Sequence, residues 1–180
     1  AANPKVADYP FTTLAPSLGV VRIAADASFV MADIPGLIVG AAQGAGLGAQ
    51  FLRHLSRTKV LLHLVDVLLE DQSDPIDNAL AIEQELAEYS EALMERPIWL
   101  ALSKVDQLEE ADVDALVAEM AETFPDRPIY GISALGDVGL DELTQDLMQF
   151  LLEERQQAAE DADFAEHLQD LEKRISDDVF

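Results

Sequence analysis

Short apolar runs alternate with amphipathic segments from residue 60 onward, and this alternation most constrains the fold. The apolar runs, typical of strands covered on both faces, are residues 60–67, 97–102 and 128–132. The amphipathic segments, with apolar residues at near-helical spacing, are residues 75–94, 112–124 and 140–152. Strands that alternate with helices predict an α/β domain with a mostly parallel sheet, right-handed crossovers and flanking helices.

Both ends of the chain depart from this alternation. Residues 20–23 and 29–32 are two apolar runs close together, which predict a hairpin or adjacent strands. Residues 156–180 hold eight acidic and two basic residues, so we expect a helical or disordered acidic tail. The expected organisation is one domain over residues 1–155 followed by that tail.

Charge and composition exclude several classes of function. The 180 residues include 35 acidic and 11 basic side chains, a formal net charge of −24, which argues against a basic surface for nucleic acid. The chain has no cysteine, so it has no disulfide framework and no thiolate site, which suits the cytosol. No apolar run approaches the roughly 20 residues of a membrane span. The first residue is alanine, and we expect the chain to begin inside a longer, monomeric protein.

Three loops at the carboxyl ends of expected strands carry residues suited to a nucleotide, because ligands of open α/β sheets bind at that edge. The first loop, Asp33, Ile34, Pro35 and Gly36, pairs a carboxylate for a Mg²⁺ shell with a glycine N–H for a terminal phosphate. The other two loops follow residues 97–102 and 128–132. They are Ser103, Lys104, Val105 and Asp106, and then Ser133, Ala134 and Leu135.

The second and third loops have the chemistry to recognise guanine. The Asp106 carboxylate can accept hydrogen bonds from both N1–H and N2–H₂ of guanine, a donor pair that adenine lacks. The Lys104 stem can lie along the face of the base. A backbone N–H near Ser133 and Ala134 can approach the guanine carbonyl oxygen. Taken singly, each loop could instead be an ordinary polar connection or a helix N-terminus.

The ordered set resembles the G3, G4 and G5 motifs of GTPases and, more narrowly, the Obg/CgtA family of ribosome-associated GTPases. The sequence motifs that carry the narrower resemblance are Tyr-Pro-Phe-Thr-Thr at 9–13, Ala-Asp-Ile-Pro-Gly-Leu-Ile at 32–38, Gly-Ala-Gly-Leu-Gly at 44–48 and Phe-Leu-Arg-His at 51–54. The resemblance spans residues 3–155. It is specific over the first 58 residues and general to GTPases beyond them.

The resemblance implies a cytoplasmic protein that hydrolyses GTP to GDP with Mg²⁺ and acts as a switch in large ribosomal subunit assembly. It implies that Thr13 ligates Mg²⁺ directly and that Asp33 does so through water. The residues expected to line the nucleotide are Phe11, Thr12, Thr13, Leu14, Ala15, Asp33, Ile34, Pro35, Gly36, Ser103, Lys104, Val105, Asp106, Ser133, Ala134 and Leu135. No catalytic residue is assigned.

Three departures bear on activity. No Gly-x-x-x-x-Gly-Lys-Ser/Thr occurs, so the expected P-loop NTPase-like G domain lacks its P-loop, its first strand and nearly all of its first helix. Ser103 stands where GTPases usually have Asn or Thr, so some positioning is lost. Leu37 stands where many GTPases have a glutamine and cannot orient water, as in the family itself, so hydrolysis is expected to be slow or assisted.

The absent first strand would be central, so its absence is expected to leave two unpaired, aggregation-prone edges in the sheet. We therefore expect this polypeptide alone to bind GTP weakly or not at all, although its parent binds GTP. The alternatives are a non-catalytic remnant or interaction module, and, less favoured because of Asp106, an adenine-specific relative. An open reading frame upstream that encodes a P-loop would indicate a fragment, and a start codon just before Ala1 would indicate a remnant.

Overall fold

Five strands and four α-helices form the part of the chain that this computed structural model describes, which comprises residues 17–33, 55, 57–68 and 73–178. The strands are β1 (Ser17–Arg22), β2 (Ser28–Asp33), β3 (Leu61–Asp66), β4 (Ile98–Ser103) and β5 (Ile129–Ile132). The helices are α1 (Pro75–Tyr89), α2 (Glu110–Thr123), α3 (Leu140–Glu160) and α4 (Ala162–Asp177). None of these helices is both long enough and apolar enough to cross a membrane.

The strands form two sheets in the described part of the chain. β1 and β2 make an antiparallel hairpin, and β3, β4 and β5 make a parallel sheet in that order. The predicted hairpin and the predicted α/β alternation are therefore confirmed. β2 and β3 are not paired with each other in the described part of the chain.

Two helix ends differ from the sequence pattern. The helix predicted over 75–94 ends at Tyr89, because Ser90 is extended and its hydroxyl accepts a hydrogen bond from the Leu93 N–H at 3.1 Å, where a 3₁₀ turn, Ala92–Glu95, begins. α3 continues to Glu160 rather than to residue 152. Its last two turns hold polar residues and two alanines, all of good helix propensity, so no large apolar residue marks them.

Each face of the parallel sheet is packed by different elements. On one face, Val65, Leu100 and Leu102 pack with apolar residues of α1 and α2. On the other face, Trp99, Ala101 and Ile132 pack with Leu143 and Leu147 of α3. Phe29 and Met31 of the hairpin also pack against this second cluster, so the hairpin lies on the α3 side.

The prediction that β3 is covered on both faces is wrong for one residue. Leu64 is 60% exposed, whereas Leu61 and Val65, which point to the opposite face, are buried. In the described part of the chain, β3 is the terminal strand of its sheet. A terminal strand has a neighbouring strand on one side only, so fewer side chains surround its residues and some of them stay exposed.

His63 lies in β3, and its Nδ1 atom faces the interior of the protein. That atom is buried without a hydrogen-bond partner among the described residues. Burial, and then the positive charge of Arg127, lower the pKa of His63 from 6.5 to about 4. His63 is therefore neutral in the folded protein at neutral pH.

The acidic C-terminal segment is helical and packs on the domain. Leu171 and Ile175 of α4 are buried with Leu61 and Ile98, the first residues of β3 and β4. Arg174 pairs with Glu95 through two hydrogen bonds of 2.6 and 2.7 Å. α4 therefore covers the amino ends of the strands, at the opposite edge of the sheet from the predicted nucleotide loops.

Replacing Leu171 by alanine should lower the free energy of unfolding by about 2–4 kcal/mol, because it opens a cavity in a packed cluster. Leu152→Ala is the matched control, since Leu152 is 50% exposed on α3 and should cost less than about 1 kcal/mol. Urea denaturation followed by circular dichroism measures both. Equal losses in the two variants would show that α4 does not belong to the cooperative unit.

His63 should make stability depend on pH between its unfolded and folded pKa values. The folded pKa is the lower one, so the contribution is complete above pH 6.5 and is lost as pH falls towards 4. The loss should be on the order of 3 kcal/mol. Urea unfolding of the native protein and of His63→Gln over this range measures it as the difference between the two slopes. Parallel slopes would contradict the assignment.

Candidate functional site

The carboxyl ends of the three parallel strands lie side by side. Asp66 at the end of β3 is in register with Ser103 at the end of β4, and Ser103 is in register with Ile132 at the end of β5. The loop that begins at Ser103 and the loop that begins at Ser133 therefore leave the sheet at the same level. The structure brings together the two loops that the sequence predicts to hold guanine.

The loop after β4 alternates anchored and exposed residues. The Ser103 hydroxyl donates a hydrogen bond to the Val65 carbonyl at 3.2 Å, and Val105 is buried in the α1–α2 cluster. Lys104 and Asp106 are exposed. Lys104 adopts the left-handed backbone conformation, with φ of 68°, which allows the chain to turn sharply out of the strand. The backbone is thus anchored on both sides of Lys104 while its side chain faces solvent.

The loop after β5 is a closed turn. The N–H of Ser133 donates to the Val138 carbonyl at 3.0 Å, and the N–H of Val138 donates back at 3.1 Å. The buried Ser133 hydroxyl accepts a hydrogen bond from the Gly136 N–H at 2.8 Å. Ala134 is exposed at the tip, and Leu135 is 91% exposed. Ser133 therefore holds the turn together, whereas Ala134 and Leu135 face outward.

The two loops touch at Gly136. A Cβ atom at this glycine would lie 3.3 Å from Cβ of Asp106 and 3.2 Å from Oγ of Ser133. The backbone of the second loop therefore passes directly against Asp106, a position that leaves little room for a side chain. This contact places an exposed carboxylate beside the exposed backbone of the Ser133 loop, a pairing of acceptor and donors suited to the edge of a guanine ring.

Ser103 uses its hydroxyl towards the neighbouring strand. The hydroxyl donates to the Val65 carbonyl and not to the Ser133 loop. The two loops are instead joined by the Gly136–Asp106 contact. An asparagine at position 103 would carry both a donor and an acceptor on a longer side chain, whereas the Ser103 hydroxyl is already bonded to the neighbouring strand.

Asp66 is a residue that the sequence analysis missed. Its carboxylate forms an ion pair with the Lys104 ammonium, and its Oδ1 accepts a hydrogen bond from the Leu68 N–H at 2.9 Å. The available signal was an acidic residue at the carboxyl end of an otherwise apolar strand. That signal did not reveal the partner, because the partner lies 38 positions away along the chain.

The phosphate side of the predicted site lies largely outside the described residues. Those predicted residues are Phe11, Thr12, Thr13, Leu14, Ala15, Ile34, Pro35, Gly36 and Leu37. Asp33 is described: it is the last residue of β2 and is exposed. An exposed carboxylate at a strand end suits an outer-sphere contact to Mg²⁺ through water. Within the described ranges, no three His, Asp or Glu side chains group closely enough to hold a metal ion by themselves.

Comparison with known proteins points to one family. Residues 1–104, more than half of the chain, match the family model described as 50S ribosome-binding GTPase. This stretch includes the Asp33 loop and extends to Lys104.

Solved structures of Era share the fold. Era in complex with MgGDPNP and nucleotides 1506–1542 of 16S ribosomal RNA superposes with a TM-score of 0.60 at 22% identity, covering 80% of this chain and 47% of that chain. A point variant of Era from Aquifex aeolicus bound to GDP·AlF₄⁻ gives 0.58 and 22%, covering 78% and 46%. The chain therefore spans about half the length of these Era chains. The likeness confirms the predicted α/β G-domain fold.

Gly139 supports the Ser133 loop, and replacing it by alanine should be costly. Its φ is +67°, and an added Cβ would collide with the Gly131 carbonyl oxygen. We expect a loss of at least about 2 kcal/mol of unfolding free energy, measured by urea denaturation. Gly19→Ala is the matched control, because nothing lies within 4 Å of a Cβ there. Equal stability of the two variants would contradict this packing.

Proposed function

Since the chain belongs to the family of 50S ribosome-binding GTPases, we propose that it carries the switch and guanine-binding parts of an Obg/CgtA-type GTPase. The observation that supports this proposal best is the contact between Gly136 and Asp106. It places two loops, 27 positions apart in the sequence from Asp106 to Ser133, against each other at one sheet edge. Neither loop alone has the donors and the acceptor that guanine requires.

In this proposal, guanine is recognised by its edge and held by its faces. Asp106 accepts the N1–H and N2–H₂ donors, and a backbone N–H of Ala134 or Leu135, beside Ser133, donates to the carbonyl oxygen. The Lys104 stem covers one face of the base. The 91% exposure of Leu135 leaves its apolar side chain free to cover the base as well.

The phosphates would be read by the residues before and after the β1–β2 hairpin. The Thr13 hydroxyl ligates Mg²⁺, Asp33 holds the ion through water, and the Gly36 N–H approaches the γ-phosphate. Phe11, Thr12, Leu14 and Ala15 line the nucleotide. Bound Mg²⁺ neutralises charge on the phosphates. Leu37 offers no group to orient water, which favours slow hydrolysis of GTP to GDP without help from another group.

The cellular role proposed here is a switch in large ribosomal subunit assembly, in the cytoplasm. The net charge of −24 favours docking on a ribosomal particle through protein contacts rather than through a basic surface. We assign residues 1–155 to the GTPase unit of a monomer and residues 156–180 to an acidic C-terminal segment. The packing of Leu171 and Ile175 suggests that this segment also braces the sheet.

A second candidate is a non-catalytic G-domain remnant or interaction module. Two observations favour it: the sequence contains no Gly-x-x-x-x-Gly-Lys-Ser/Thr, and β2 is not paired with β3. The phosphate loop and its lysine normally supply much of the attraction for the phosphates. The guanine loops can therefore persist in a chain that holds the triphosphate poorly.

The guanine site, and the weak binding of GTP that both candidates share, are tested by titrating the chain with guanosine, adenosine and GTP–Mg²⁺, using ligand-observed NMR for the nucleosides and calorimetry for GTP. We expect weak binding of guanosine, no binding of adenosine, and GTP bound no more than about tenfold more tightly than guanosine, because the sequence contains no phosphate loop with its lysine. Micromolar affinity for GTP would contradict the weak-binding proposal. Equal binding of both nucleosides would overturn the guanine site.

Asp106→Asn sharpens the same titration. The amide still accepts from N1–H but donates where guanine also donates, so guanosine binding should fall by about tenfold or more, whereas xanthosine, with a carbonyl at that position, should gain. Asp114→Asn removes an equally exposed carboxylate on α2 and should leave the nucleoside preference unchanged.

A further inference from the structure

The Asp66 carboxylate has two separate tasks, one for each oxygen. Oδ1 accepts a hydrogen bond from the Leu68 N–H at 2.9 Å and so shapes the chain just after β3. Oδ2 pairs with the Lys104 ammonium. Both side chains are accessible to solvent, at 50% for Lys104 and 28% for Asp66, so the pair can meet a ligand without unfolding.

The ion pair determines where the Lys104 stem lies. Lys104 follows Ser103, and Ser103 is in register with Asp66 on the neighbouring strand. The stem therefore runs from the end of β4 to the end of β3, across the carboxyl edge of the sheet. Its backbone is already held, because Val105 is buried and the Ser103 hydroxyl is bonded to Val65.

A lysine side chain that is not held samples many rotamers, and ordering it on binding costs conformational entropy. A partner that restricts the side chain before the base arrives removes part of this cost, which is preorganisation. Asp66 is such a partner, and it does not compete with Asp106, whose carboxylate belongs to the neighbouring loop.

We propose that Asp66 is a positioning residue of the guanine site, holding Lys104 so that its methylene stem is laid out for the face of the base. This inference rests on the proposed function. It goes beyond that function by assigning a role to a strand-end acid outside the three nucleotide loops. Asp66 itself does not touch the base.

Asp66→Asn separates the two tasks. The amide oxygen can still accept from the Leu68 N–H, whereas the charge that holds Lys104 is lost. The affinity for guanosine should fall by about twofold to fivefold, the range of an exposed ion pair, while the urea midpoint stays near that of the native chain. Glu154→Gln is the matched control, because Glu154 pairs with Lys59 at 3.7 Å far from the guanine loops.

Two further readouts test positioning rather than mere stability. In NMR relaxation, the Cε–H groups of Lys104 should become more mobile in Asp66→Asn and stay unchanged in Glu154→Gln. In about 1 M salt, where the Debye length is roughly 3 Å, the difference in guanosine affinity between native and Asp66→Asn chains should shrink towards none. Lys104→Met, which keeps a stem without the ammonium, should make the Asp66→Asn substitution neutral.

The outcomes discriminate clearly. Unchanged or tighter guanosine binding by Asp66→Asn, with the native chain binding, would overturn the positioning role alone. Failure of the native chain to bind guanosine at all would overturn the guanine site and this role together. An equal loss in Asp66→Asn and Lys104→Met, with no further loss in the double variant, is the expected result.

Discussion

The central strand β4 is the constraint on which the rest of the structure depends. Its residues Leu100, Ala101 and Leu102 are fully buried, and it pairs in parallel with β3 on one side and β5 on the other. Parallel pairing requires crossovers that return the chain to the same starting edge, so every loop that follows a strand meets at the opposite edge. The site is a consequence of this register, since Asp66, Ser103 and Ser133 reach that edge together.

Much of this arrangement could be predicted from the sequence, because it depends on period and order. The alternation of apolar runs and amphipathic segments was enough to predict the α/β fold. The positions at which the predicted strands end were enough to select the Ser103 and Ser133 loops. The extent of α3 could not be predicted, because its last turns carry no large apolar residue that would continue the helical pattern. The burial of Leu171 and Ile175 was hidden in a strongly acidic segment, where only two apolar residues four positions apart contact the core.

Side-chain contacts between strands could not be predicted either, because periodicity along the chain does not show which residues lie beside each other in the sheet. The pairing of Asp66 with Lys104 depends on which strand lies beside which, and on register to within one residue. The unpaired Nδ1 of His63 similarly depends on neighbours from distant segments. A single sequence indicates that a residue is buried or stands at a strand end, but not which partner it finds there. The roles of Thr13, Asp33 and Gly36 stay predictions.

α3 has a consequence that concerns distance rather than packing. It begins at Leu140, directly after the glycine that supports the Ser133 loop, and ends at Glu160, where Asp161 caps α4. At about 1.5 Å per residue, this one helix measures roughly 30 Å, a length set by its own hydrogen bonds. The Ser133 loop and the acidic C-terminal helix are thus held at the two ends of one helix. A partner bound to α4 would therefore lie at a fixed distance from the Ser133 loop. Binding at the acidic end would in this way set the orientation of the domain relative to that partner.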